Sequence, residues 1–150
     1  MADFAGAKRA MKQRLRDNWT ATPIAFENEA APVMDDGSGN LTPWIEFRVI
    51  ADTANQWSIG SPGSNVMIDE GVIEITVFVP AGTGDDAATT HATALGEIWR
   101  NAEFYREDEG SCVRTLIPVV GRGSTATSEN PEGVWWAIPV TTPYRFYHLA

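Results

Sequence analysis

The chain has 150 residues and a formal charge of −9, with one cysteine and two histidines. A chain of that length is expected to form one domain, here 1–150, able to bury roughly 70% of its unfolded surface without staples. One thiol excludes an internal disulfide and a cysteine zinc cluster, and no run of about 18 apolar residues is present to cross a membrane as a helix.

The charge is unevenly spread. Residues 1–18 hold five basic and two acidic side chains, a balance of +3, whereas the rest holds six basic and eighteen acidic, a balance of −12. Neutralising phosphates requires Lys and Arg, so the acidic body argues against tight nucleic-acid binding. The basic segment reads either as the solvated face of a helix or as a contact with an acidic partner surface. Its charges at Asp3, Lys8 and Arg9, without an apolar h-region, lead us to expect no signal peptide and synthesis in the cytoplasm.

Residues 3–18 have Phe4, Ala7, Met11 and Leu15 at helical spacing, with Asp3 as a candidate N-cap. Trp19 is expected to anchor the exit, and Thr22 to Phe26 to be a short extended piece. Residues 27–42, with DDGSGN inside, read as a long loop. Trp44 to Ile50 alternates apolar and polar residues and predicts a half-buried strand. Residues 51–64 read as irregular, with Trp57 and Ile59 as anchors. Val66 to Ile68 is a short strand, and Asp69-Glu70-Gly71 a tight connection back into Ile73–Val79, which alternates at period 2.

After Pro80 comes AGTGDD, then a helix with Ala88, Ala92, Leu95, Ile98, Trp99 and Ala102 at period 3.6. Cys112 to Val120 is expected to be a strand with Val113, Ile117 and Val119 on one face. Residues 121–133 are rich in turn formers and read as a second long loop. Val134–Val140 and Tyr144–Leu149 read as strand pieces, with Pro118, Pro139 and Pro143 suggesting edges or bulges. The pattern predicts an α+β fold, an antiparallel or mixed sheet with two main helices packed on one face.

The chemistry-bearing motifs are weak. The AGTGDD turn lacks the lysine of a P-loop and the third glycine of a dinucleotide turn. Asp85 and Asp86 occupy the place where phosphate would sit, and Thr83 with Asp86 approximates a capping box. DDGSGN at 35–40 reads as a turn, because position 12 of a calcium loop falls on Glu46 inside a predicted strand. His91 and His148 have no metal-binding companions at motif spacing. Cys112 reads as a small buried hydrophobe rather than a nucleophile, and no G-x-S-x-G elbow is present. Carboxylate runs such as Glu107-Asp108-Glu109 read as solvated turns. We therefore expect no catalytic residue, no cofactor and no metal. Six tryptophans are a heavy load for a small domain. On a strand, Trp135 and Trp136 point to opposite faces, so one is a candidate for a protein interface unless the sheet is covered on both faces.

Four segments taken in order carry a resemblance: TPIAFENEAAP at 22–32, PWIEFRVI at 43–50, SIG at 58–60 and GVIEITVFVPAGTGDDAATTHATALGEIW at 71–99. Together they resemble the tail terminator family of long-tailed bacteriophages and phage-like gene transfer particles. The resemblance spans residues 4 to about 104 and implies a structural virion protein without catalysis. It further implies a homo-hexameric ring at the head-proximal end of the tail tube, between the tube protein and the head-completion (stopper) protein. DNA would pass through the lumen without sequence-specific binding. On that expectation Lys8, Arg9, Lys12 and Arg16, with Trp135 and Trp136, are candidate partner or subunit contacts. Asp85, Asp86, Glu107, Asp108 and Glu109 are candidate channel lining. The rival expectations are another neck or tail-tube protein, or a small-ligand or nucleotide-binding domain using the AGTGDD turn.

Overall fold

The computed structural model describes residues 1–125 and 134–150; most of the loop expected at 121–133 lies outside them. The architecture is α+β, as the sequence predicts. Helix α1 (Phe4–Asn18) starts where the Asp3 carboxylate accepts from the Gly6 amide at 2.7 Å, which satisfies one of the orphan donors of the first turn. Helix α2 spans Asp86–Trp99. The strands are β1 (Ile24–Phe26), β2 (Trp44–Gln56), β3 (Val66–Pro80), β4 (Glu103–Phe104), β5 (Cys112–Thr115), β6 (Val119–Val120) and β7 (Trp135–Leu149). They form one mixed sheet in the order β1-β2-β3-β7-β5-β4, with β6 also on β7. Among the described residues only the β1–β2 pair is parallel.

Both helices lie on one face of this sheet. Ala7, Met11 and Leu15 of α1 and Ala88, Ala92, Leu95 and Trp99 of α2 share a single cluster with Ile45, Phe47, Ile73, Ile75, Val77, Val140 and Phe146. That is the period-2 face of β2, β3 and β7 meeting the period-3.6 stripes of two helices. A smaller cluster of Trp44, Phe78, Trp135 and Ala137 covers the opposite face at one end only. There the Trp44 and Phe78 rings stack at 4.1 Å. Met34, from the 27–42 loop, packs against that second cluster.

The long strands depart from the sequence expectation in four places. First, residues 51–56 continue β2 rather than forming a loop, and β3 runs unbroken through 69–71. The turn thus lies at 57–65, not at Asp69-Glu70-Gly71. Gly71 serves packing instead of turning: a Cβ there would meet the Ile50 carbonyl and, at 2.8 Å, the Tyr144 hydroxyl. Its register partner Tyr144 lies across the space a side chain would fill. Second, Trp57 and Ile59 are no anchors, at 73% and 104% exposure.

Third, β7 is one 15-residue strand in the interior of the sheet despite its prolines. The carbonyls of Pro139 and Pro143 accept from Gly121 and Leu116, on the side away from β3. An extended residue directs its N–H and C=O to the same side, so neither proline removes a donor from the β3–β7 ladder. Fourth, 112–120 is broken into β5 and β6; Val113 is fully buried while Ile117 and Val119 are exposed.

Candidate functional site

The chemistry-bearing groups are already occupied or far apart. In AGTGDD, Gly82 and Gly84 both take φ of +84°, a backbone that glycine adopts without strain. The Thr83 hydroxyl donates to the Pro80 carbonyl at 2.7 Å, and the helix N-cap is Asp85, with no side-chain cap bond. The capping box expected from Thr83 and Asp86 therefore does not form, because Thr83 closes the turn behind it instead. A hollow of about 430 Å³ beside this turn is lined by Gly82, Gly84, Asp85 and Trp136. Among the described residues its lining holds a carboxylate and no cation to offset the charge of an anion.

In DDGSGN, the Asp36 carboxylate accepts from the amides of Ser38 and Asn40 and from the Asn40 side chain. Those bonds, the Asn40 side chain first, lower its pKa. Asp35 accepts from Gly37 at 2.9 Å. The motif is a pair of Asx turns, and among the described residues no cluster of three metal-ligating side chains occurs. His91 sits edge-on to Trp19, while His148 meets Asp69 at 3.2 Å. Cys112 is buried in register with Tyr147, on the face opposite His148, so it forms no nucleophile pair with that histidine.

The acidic candidates form two separate groups. Asp85 and Asp86 follow Pro80, which registers with Trp135 at one end of the β3–β7 ladder. Glu107, Asp108 and Glu109 precede Gly110, which approaches Leu149 at the other end. Fourteen strand steps at about 3.3 Å separate those ends by roughly 45 Å. Asp108 also accepts from the Ala2 amide at 2.6 Å, tying down the N-terminus.

The basic candidates on α1 mostly face the chain's own 26–29 segment. Lys8 pairs with Glu27 at 3.0 Å and Arg16 with Glu29 at 3.7 Å, while Lys12 and Arg16 approach the Phe26 ring. Arg9 is exposed and borders a hollow with Gln13, Tyr105 and Glu107. Arg14, not singled out by sequence, donates twice to the Ile98 carbonyl and clamps α1 to the end of α2. Trp135 is buried in the smaller cluster; Trp136 is half-buried against the main one, with an edge in the hollow beside the glycine turn.

What sequence reasoning missed is an exposed arm. Beyond Val49, Ile50 and every residue of β2 to Gln56 are exposed, and the following turn carries Trp57 and Ile59 in solvent. β1 covers only Ile45 to Phe47, so among the described residues no strand pairs the outer edge of β2 from Ala51 to Gln56. Exposed aromatic and branched side chains beside an unpaired edge are the marks of an assembly surface, not of a pocket for small molecules.

These features define a structural assembly protein built on an α+β sheet. A family model described as phage tail terminator protein matches residues 7–144, and the chain belongs to that family. It is a structural component of the phage tail, associated with other tail proteins. No curated protein matches it. Nineteen chains of solved structures do. One of them is 18% identical with a TM-score of 0.67, over 97% of this chain and 96% of its own, a likeness of fold.

Proposed function

We propose that this chain works as a homo-hexameric ring that caps the head-proximal end of the tail tube, ends tube polymerisation and docks the tail to the head-completion protein. The observation that carries this reading is the exposed β2–β3 arm in a chain of the terminator family. A monomer gains nothing by leaving a sheet edge, Trp57 and Ile59 in water, whereas a subunit in an assembly buries them. DNA passes through the lumen without base readout, along a body of charge −12 that releases few counterions. Asp85 and Asp86 line one level of that channel and Glu107, Asp108 and Glu109 another. Arg9 is the α1 cation best placed for an acidic partner, with Lys8, Lys12 and Arg16 shared between the partner and the chain's own acidic loop. Trp136 meets a neighbour through its exposed edge, and Trp135 supports that contact from the opposite face.

Light scattering with negative-stain imaging of the purified protein, alone and with tail tubes, tests this. Rings near six subunits, or caps on tube ends, are expected. Long tubes would make it a tube protein, and stabilisation by ATP, GTP or NAD in a thermal shift would return the ligand-binding reading.

A further inference from the structure

Residues 19–150 hold six basic side chains, and three of them, Arg106, Arg114 and Arg145, gather where β5 lies against β7. Val113 and Phe146 are register partners buried toward the helices, so the next pair, Arg114 and Arg145, stands on the other face. Both side chains are about half-exposed, at 56% and 47%. Like charges set directly opposite on a strand pair repel. Each arginine meets one glutamate through its Nε, Arg114 with Glu103 at 3.2 Å and Arg145 with Glu70 at 3.1 Å. A guanidinium has five donors, so these contacts leave the Nη groups of both for a partner. Arg114 also lies over the Tyr147 ring, at 5.4 Å. The two arginines, Thr115 and Tyr147 line a hollow of about 450 Å³ in which Glu103 is the one carboxylate. The run Glu107-Asp108-Glu109 lines the adjoining hollow and not this one.

The other side of the sheet carries the complement. There 27–42 joins β1 to β2, and its second half is a built hairpin. Thr42 donates to the Met34 carbonyl and Asp36 to that of Asn40, both at 3.0 Å, with a bridge between Asp35 and Leu41. Met34 roots the hairpin in the smaller cluster, and residues 35–40 at its tip are all exposed. Asp35 and Asp36 are the only charges of that tip, and their Asx turns hold both carboxylates in place. From the ring reading, we propose that the Asp35–Asn40 turn of one subunit docks on the Arg114–Arg145 pair of the next.

Three observations carry the choice of a second copy as occupant. The charges are complementary, two carboxylates for two guanidiniums, and such pairs form short, charge-assisted bonds. Either feature against its own copy would set like charge on like. The two features lie on opposite sides of the strand order, β1-β2 against β5-β4, and a head-to-tail junction of two different surfaces is the kind that generates rings. Apolar surface accompanies both. Val33 and Leu41 flank the acidic tip at 70% and 42% exposure, and Ile117, at 51%, follows Leu116 on the rim of the hollow.

The test neutralises each side separately. Asp35→Asn with Asp36→Asn removes both charges and keeps the side-chain acceptor that closes each Asx turn; Arg114→Gln with Arg145→Gln removes the cations. Each double variant should raise the concentration for half-assembly at least tenfold, by light scattering, with an unchanged urea midpoint. Ser38→Cys and Ile117→Cys, both exposed, are then mixed in otherwise wild-type rings and treated with a bismaleimide. Linked product at least tenfold above either variant alone is expected; Cys112 is buried and sets the background. Wild-type assembly by both double variants, or rings without the mixed crosslink, would overturn this junction and leave the ring reading intact. Normal rings from the arginine variant with weakened retention of duplex DNA would overturn it too, making the pair a phosphate contact. Absence of any multimer from the wild type, with tubes present, would overturn both.

Discussion

The two ends of the β3–β7 ladder are built on different terms. Toward Pro80 and Trp135, both sheet faces are covered within one subunit, by the helices on one side and by Trp44, Phe78 and Trp135 on the other. Toward Val66 and Leu149, β2 is exposed on both faces, and the connecting turn holds Trp57 in solvent. β2 therefore supplies the core at one end and stands in solvent at the other, whereas Ile68 of β3 and Phe146 of β7 stay buried near that second end. Packing concentrates where the helices lie, and the exposed arm proposed for assembly lies where they do not.

This contrast predicts unequal costs for equal substitutions. Trp99 is fully buried between Phe47 and Phe104, so Trp99→Ala should destabilise the fold by about 3–5 kcal/mol, as measured by urea unfolding. Trp57→Ala removes the same side chain at the other end. It should change stability by no more than about 0.5 kcal/mol yet reduce assembly on tube ends. A large unfolding effect at Trp57 would break the comparison. Between the two lies Gly71, at the boundary, where a Cβ would meet the Ile50 carbonyl and the Tyr144 ring. Gly71→Ala should cost about 1–3 kcal/mol through overpacking, with Gly63→Ala in the exposed turn as the contrasting variant. Gly63 has φ of +90°, so its penalty is backbone strain, of order 1 kcal/mol, rather than contact.

The same division decides how much was legible in the sequence. The covered end announced itself: Ile73, Ile75, Val77 and Val79 alternate because one face is buried, and α1 shows its Asp3 cap and apolar stripe. The arm did not. Ala51 to Gln56 has no apolar period because neither face is packed, and its strand is held by backbone pairing to β3, which leaves no mark in side-chain pattern. From sequence β7 reads as two pieces divided at its prolines, because the sequence does not reveal toward which side a missing N–H would point. The family resemblance reached the tail terminator class through ordered segments. It did not single out the β2 edge, which becomes visible only once the register of β1 shows how little of β2 it covers.

The smallest effect expected concerns Tyr144, which lies at the boundary between the two ends. Its hydroxyl is buried without a hydrogen-bond partner, and burial, with Asp69 nearby, raises its pKa above the usual value. The neutral phenol is thus favoured in the folded chain. Its contribution is complete below about pH 10, where the unfolded phenol titrates, and is lost as pH rises through the higher folded value. Stability should therefore fall above about pH 10 more steeply in the wild type than in Tyr144→Phe. At neutral pH the Phe variant should be as stable or slightly more so, since it removes an unpaired polar atom and keeps the ring over Gly71. Thermal unfolding at pH 8 and pH 11 separates the two effects. A Tyr144→Phe variant markedly weaker at pH 8 would mean that the hydroxyl has a partner in solution, and that the boundary is held by a hydrogen bond rather than by packing on glycine.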